Sequence, residues 1–337
     1  MIFRRASEWS VAGGDNTEAT TTKGKVMKIS RRKALVAGAS FIAAPALLTR
    51  RGYAVEQRSI KIGSVLTGTT MAGELMIKYL KEVGVEAEVL QFPNITQRMQ
   101  AVAADTVQVG YAGINAAILL ASKGVPLQLL ANACDGGWSL VGKPEFKTLE
   151  SLRGKKIAVQ PGNICHIALA WKLKSLGMTK DVELVFLNNN DMPTPLAQGQ
   201  IDAMFSIEPY PSFAKENGWG VDIWDGYDTP MKRRNLGFVA SRPFVEKNPV
   251  LTREMVKAHV RATKDLMASS SVAAETISRV LNLPRTITDA SLKNTFFSIE
   301  TGEEYNKNIV AMGDMMMDAA MLDSAPDWKT FINTSFV

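Results

Sequence analysis

The 337 residues carry 39 Lys and Arg against 33 Asp and Glu, a formal charge of +6, and 46% are hydrophobic. This composition excludes a wholly disordered chain and supplies ample material for a packed core. The positive charge is no footprint of nucleic acid, because residues 1–54 hold 10 basic and 3 acidic residues and leave 29 against 30 for the rest.

Residues 12–25 are rich in Gly, Thr and Asn without periodicity and read as a disordered extension. Met27, followed by Lys28, offers a second start beside Met1. Ser30-Arg31-Arg32-Lys33-Ala34-Leu35 then sets paired arginines before an uncharged apolar run over 34–48. Gly52-Tyr53-Ala54 follows as a small-x-small cleavage site. The ordered set resembles a twin-arginine signal peptide and implies export to the periplasm. The run is 15 residues long, short of the roughly 20 that a spanning helix needs, so cleavage is expected over a retained anchor. No cysteine lies near the site to carry a lipid.

Beyond residue 54, short apolar runs alternate with amphipathic stretches. Strands are expected over 60–66, 87–91, 107–111 and 126–131, and helices over 71–83, 94–104 and up to 123. Asn94 with Gln97 would cap the second helix. The same rhythm restarts near 137, with strands over 156–160, 182–187, 201–206 and 221–224. Helices fall between them over 163–176, 194–198 and 209–217. The basic cluster Lys232-Arg233-Arg234 reads as a solvated loop before a strand over 236–241. Thr252 is expected to cap a helix to 267, and Thr301 with Glu304 to open one to 322. Met312, Met315, Met316, Met317 and Met321 crowd that last helix and suit adaptable packing against a first lobe.

The βα alternation predicts an α/β fold with mostly parallel sheets. Residues 99–110 and 195–204 each run from helix end through a turn into a strand, a pseudo-repeat that supports two lobes. Cys134 and Cys165 are the two cysteines, and their spacing leaves pairing open. With His166 and His259 as the only histidines and no Cys/His cluster, no metal site is expected. No cofactor is implied.

Ligands of open α/β sheets sit beyond the carboxyl ends of strands. That rule nominates Thr67, Thr69 and Thr70, whose hydroxyls suit an anion or simply cap a helix. It nominates Gly113 and Asn115 after the third strand, and Gln160, Asn163 and His166 at a helix start. Asn190, Glu208 and Tyr210 follow later strands, with Phe92 and Trp138 as aromatic walls. Glu208 either accepts from a ligand amine or ring N–H or caps the helix after it. Few Lys or Arg occupy these loops, which leaves monoanions, zwitterions and polar heterocycles.

Residues 149–163, Leu196 to Ala203, Glu208-Pro209-Tyr210, and Tyr111-Ala112-Gly113 through Gly124-Val125-Pro126 together resemble solute-binding proteins of ABC importers. The similar branch is the nitrate/sulfonate/taurine and thiamine-pyrimidine-precursor group. That group commonly has Gly and Asp where this chain has Asp105 and Gln108. The resemblance implies a type II periplasmic binding protein fold, two α/β lobes joined by two crossing strands. The lobes would comprise 55–135 with 236–337, and 136–235. It further implies a monomeric receptor that closes on a small sulfonate-like, nitrate-like, amine or pyrimidine solute and delivers it to a membrane permease. Two alternatives stay open: an enzyme on the same fold, with His166 and Glu208 as an acid/base pair, or a solute sensor for a membrane kinase.

Overall fold

A computed structural model of the chain describes residues 59–65, 67–92 and 95–337. The expected signal peptide, the expected cleavage site and the expected capping residue Asn94 lie outside the described residues.

The first sheet begins with β1 (Ser59–Ser64), α1 (Ala72–Glu82), β2 (Glu86–Gln91), α2 (Ile95–Ala103), β3 (Val109–Gly113) and α3 (Ile114–Ser122). β1 pairs parallel with both β2 and β3, as βαβ crossovers require. β4 (Leu127–Gly136) then runs ten residues, every one of them buried. A strand buried on both faces, with Gln128, Asn132 and Asp135 buried along with its apolar residues, has no alternation to mark where it ends.

The chain crosses at Gly136–Gly137 into β5 (Trp138–Gly142), then β6 (Lys156–Val159), α4 (Ile164–Ser175) and β7 (Glu183–Phe186). α5 (Pro193–Ala197), β8 (Ala203–Ile207), α6 (Tyr210–Glu216) and β9 (Val221–Trp224) complete the second sheet. Its order is β7-β6-β8-β5-β9, with β6 parallel to β7 and β8 and with β5 antiparallel to its neighbours. β10 (Arg234–Ser241) returns to the first sheet between β3 and β4, antiparallel to both. The helices α7 (Arg242–Lys247), α8 (Pro249–Ala268), α9 (Ser270–Leu281) and α10 (Arg285–Leu292) lead to the short edge strand β11 (Thr295–Phe297). α11 (Glu303–Asp318) and α12 (Trp328–Phe331) end the chain, and the first sheet reads β11-β4-β10-β3-β1-β2.

The two crossings hold each other. Gly136 N donates to Arg233 O at 2.6 Å, and Asn235 Nδ2 donates to Gly136 O at 2.6 Å. Gly136 has φ +64, and a Cβ there would lie 2.6 Å from the Tyr227 hydroxyl, so glycine is required on both counts. Arg234 is not part of a solvated loop, as its basic cluster suggested. It is buried at the start of β10 against Asp135 (2.7 Å), Glu300 (2.8 Å) and Asn308 (3.1 Å). Lys232 and Arg233 alone are exposed.

Two expected caps differ. α8 starts at Pro249, and the Thr252 hydroxyl donates back to Asn248 O inside its first turn. α11 starts after Gly302, and Glu304 accepts from Asn308 one turn on instead of from its own N-terminus. The methionines of α11 pack as expected in kind but more widely. Met312, Met315 and Met316 join one hydrophobic cluster with Leu129 and Val239 of the first sheet and Leu140 and Val159 of the second. Cys134 and Cys165 are both buried and free.

Candidate functional site

The carboxyl ends of β1, β3, β6, β7 and β8 surround a cavity of about 640 Å³ between the two sheets. Its size lies in the range typical for small organic ligands. Eight nominated residues line it: Thr67, Thr69, Gly113 and Asn115 on the first-sheet side, Gln160, Asn163, Asn190 and Tyr210 on the second. Asn115 spans the gap, its Nδ2 donating to Gly162 O at 2.8 Å.

Local chemistry fixes the second wall. Asn163 is the N-cap of α4 and accepts from His166 N at 2.9 Å. Its Nδ2 donates to Asn189 Oδ1, which also accepts from the Ser206 hydroxyl at 2.9 Å. Asn189 Nδ2 in turn donates to Gln160 Oε1. Asn188 and Asn190 direct their amides to Asp191, at 3.0 and 2.8 Å, so Asp191 braces this turn instead of capping α5. Burial and the neighbouring Asp191 carboxylate raise the Tyr210 pKa.

Five nominated residues stand outside the cavity. The Thr70 hydroxyl closes its own turn on Val65 O (2.8 Å) and Thr67 O (3.0 Å) and is fully buried. Phe92 packs on the apolar core beneath. Trp138 is fully buried, edge-on to Tyr227 at 5.3 Å, because β5 starts there and turns it inward. His166 Nδ1 accepts from Gly162 N at 3.1 Å while the ring meets Phe186, and burial lowers its pKa. Glu208 is 4% exposed, and its Oε2 accepts from Ser212 N at 3.3 Å in the first turn of α6. The capping role describes Glu208, and burial raises its pKa. His166 and Glu208 thus do not assemble as an acid/base pair in the cavity. Burial also pushes both thiols well above their ordinary range.

The residue that loop reasoning missed is Arg98. It comes from α2, lines the cavity and is only 2% exposed. Its Nε and Nη1 meet no hydrogen-bond partner. Burial brings its pKa down to about 10, so it remains a cation at neutral pH. Gly63 in β1 gives its stem room, since a Cβ there would lie 2.9 Å from Arg98 Cγ. The signal was present in the sequence: Ile95, Arg98, Met99 and Val102 follow the i, i+3, i+4, i+7 spacing of a buried helix face, and one of the four is charged. Among the described residues that line the cavity, Arg98 carries the sole charge.

Comparison with known proteins agrees with this architecture. The taurine-binding periplasmic protein of Escherichia coli (strain K12) is 25% identical over 92% of this chain and 100% of its own length. The periplasmic aliphatic sulphonate binding protein SsuA from Escherichia coli superposes with a TM-score of 0.70 at 19% identity, over 81% of this chain and 91% of that one. The periplasmic nitrate-binding protein NrtA from Synechocystis PCC 6803 does so with 0.66 at 14% identity, over 83% and 87%. These neighbours share the periplasmic binding protein fold. No helix among the described residues is long and apolar enough to cross a membrane. With residues 54–281 matching its pattern, the chain belongs to the NMT1-like family and is homologous to periplasmic taurine- and sulfonate-binding proteins.

Proposed function

We propose that this chain is the exported solute receptor of an ABC-type importer, and that it takes a small organic monoanion between its sheets for delivery to a membrane permease. One observation carries the ligand class. Arg98 lines a cavity whose other lining residues carry no carboxylate, and its buried Nε and Nη1 have no hydrogen-bond partner. Leaving such a group unpaired is costly, and a bound anion offsets that cost through charge-assisted hydrogen bonds. The Thr67 and Thr69 hydroxyls stand on the same wall, 3.0 Å apart, to share the anion's oxygens. In this reading 55–135 with 236–337 forms one body and 136–235 the other, hinged where the strands cross near Gly136 and Asn235, and closure shapes the surface the permease meets.

The test is calorimetric titration and thermal unfolding of the wild type and Arg98→Met with organic sulfonates and carboxylates. The wild type is expected to gain about 3 kcal/mol of stability at a hundredfold excess over Kd. Arg98→Met is expected to keep the fold and lose that gain. An unresponsive wild type, or a variant that responds equally, refutes the anion reading.

A further inference from the structure

We infer that the body of the solute carries N–H or O–H donors, and that asparagine side-chain oxygens in the cavity lining accept them. This rests on the receptor reading above and adds a second requirement to the acidic head. Asn115, Asn188, Asn190 and Asn235 all line the cavity. Each is pinned through its amide nitrogen. Asn115 Nδ2 donates to Gly162 O at 2.8 Å, and Asn235 Nδ2 donates to Gly136 O at 2.6 Å. Asn188 and Asn190 donate to the two oxygens of Asp191, at 3.0 and 2.8 Å. A carbonyl or carboxylate oxygen accepts and does not donate, so it fixes which way an amide points. All four side chains therefore turn their oxygens away from the partner that holds them. Among the described residues, no donor meets any of the four oxygens.

Asn115 and Asn235 are only 6% and 7% exposed, yet neither oxygen is among the sealed polar atoms of the described residues. Both stay reachable to a solute in the cavity. Gly113 keeps one of them clear, since a Cβ there would lie 2.8 Å from Asn115 Oδ1. Asn188 and Asn190 are exposed on the second-sheet side. The charge of Asp191 is felt on that side too, where it adds to burial in raising the Tyr210 pKa. A negative potential favours donors over acceptors. An alkyl body would strip water from these oxygens and return no hydrogen bond, whereas a donor-bearing body restores one for each oxygen it meets. A site built to bond an N–H or O–H discriminates against the analogue that lacks it more sharply than an apolar pocket discriminates by size. Because the oxygens come from both sides of the cavity, the same body is held by both as they close.

The test is calorimetric titration of the full chain with pairs of acids of equal charge and shape, one member with donors and one without. The pairs are β-ureidopropionate against its branched alkyl isostere, γ-hydroxybutyrate against valerate, and isethionate against propanesulfonate. Two kinds of acidic head keep the question about the body separate from the question about the head. The donor-bearing member is expected to bind about tenfold more tightly in at least one pair. Alkyl members that bind as tightly as their partners in every pair overturn the inference while the anion receptor stands. If no acid of either kind binds, the receptor reading falls and the inference falls with it. Asn115→Leu keeps the side chain's shape and removes its oxygen, and is expected to cut the preference for the donor-bearing member about fivefold. The ratio within a pair is the readout, because loss of the link to Gly162 O alone would weaken both members equally. Asn190→Leu, at an exposed position, makes the same measurement should the first variant fail to fold. Ratios unchanged in variants of native circular dichroism refute the role assigned to the asparagine oxygens.

Discussion

His259 shows how a buried polar side chain can be entirely structural. It lies mid-way along α8, fully buried, with Nδ1 2.9 Å from the Tyr111 hydroxyl and Nε2 2.8 Å from Asn132 O. Asn132 O only accepts, so Nε2 carries the proton and Nδ1 takes the tyrosine's. The ring stacks on Phe238 at 4.7 Å. Burial lowers its pKa to about 4. Below the unfolded value near 6.5, the unfolded chain binds a proton that the folded chain refuses. Stability from this residue is therefore full above about pH 6.5 and lost progressively as pH falls toward 4, on the order of 3 kcal/mol. Urea unfolding from pH 7 to pH 4 should show that fall in the wild type and a flatter profile in His259→Gln, which cannot titrate. Arg98 and Glu208 are a contrasting pair. Arg98 was legible as a charge on an apolar helix face, but only to a reader who looked beyond loops. Glu208 was not, because sequence position places a residue after a strand without saying whether its side chain turns to the cleft or to its own helix.

Among elements, the parallel βα units were the most legible, because their apolar runs and helix periodicities are local. The strand β5 was not foreseen, since its partners β8 and β9 lie more than 60 residues away and its pairing is antiparallel to both. The bounds of α9 and α10 were not picked out, and the three-residue β11, which owes its place to packing, was not foreseen. The pseudo-repeat has a physical basis that the sequence only hinted at. Gln108, just before β3, accepts from Lys61 N of β1 at 2.8 Å. Asp202, just before β8, accepts from Lys156 N of β6 at 3.0 Å. Each side chain ties the entry of one parallel strand to its neighbour. Asp105 has φ +56 in the turn ahead of β3, and Gly199 has φ +71 in its counterpart. Asp105 and Gln108 therefore serve the turn and the strand entry, at the end of the sheet opposite the cavity. Gln108→Ala is expected to cost about 1–2 kcal/mol by orphaning the Lys61 amide, and Gln108→Asp much less. The midpoint of urea unfolding at constant m checks both.

For the molecule as a whole, the closure proposed above bears on a direct link across the cavity. The bond from Asn115 Nδ2 to Gly162 O joins the two sheets' loops without any solute. Asn115→Ala is expected to favour a more open state and to weaken ligand binding about fivefold, the equivalent of one hydrogen bond. A larger radius of gyration in small-angle scattering of the ligand-free variant, with the wild type as reference, checks the opening; equal radii contradict it. α11 ties both sheets into one apolar cluster through Met312, Met315 and Met316. Flexible thioether side chains can keep contact while their neighbours slide. Evolution accordingly cannot trade the segment from Trp138 to Trp224 between paralogues as a self-contained cassette. A transplant with a new recognition wall would also have to fit the C-terminal methionine ridge, so under the proposed function a change of solute is expected to arise by point substitution around the cavity.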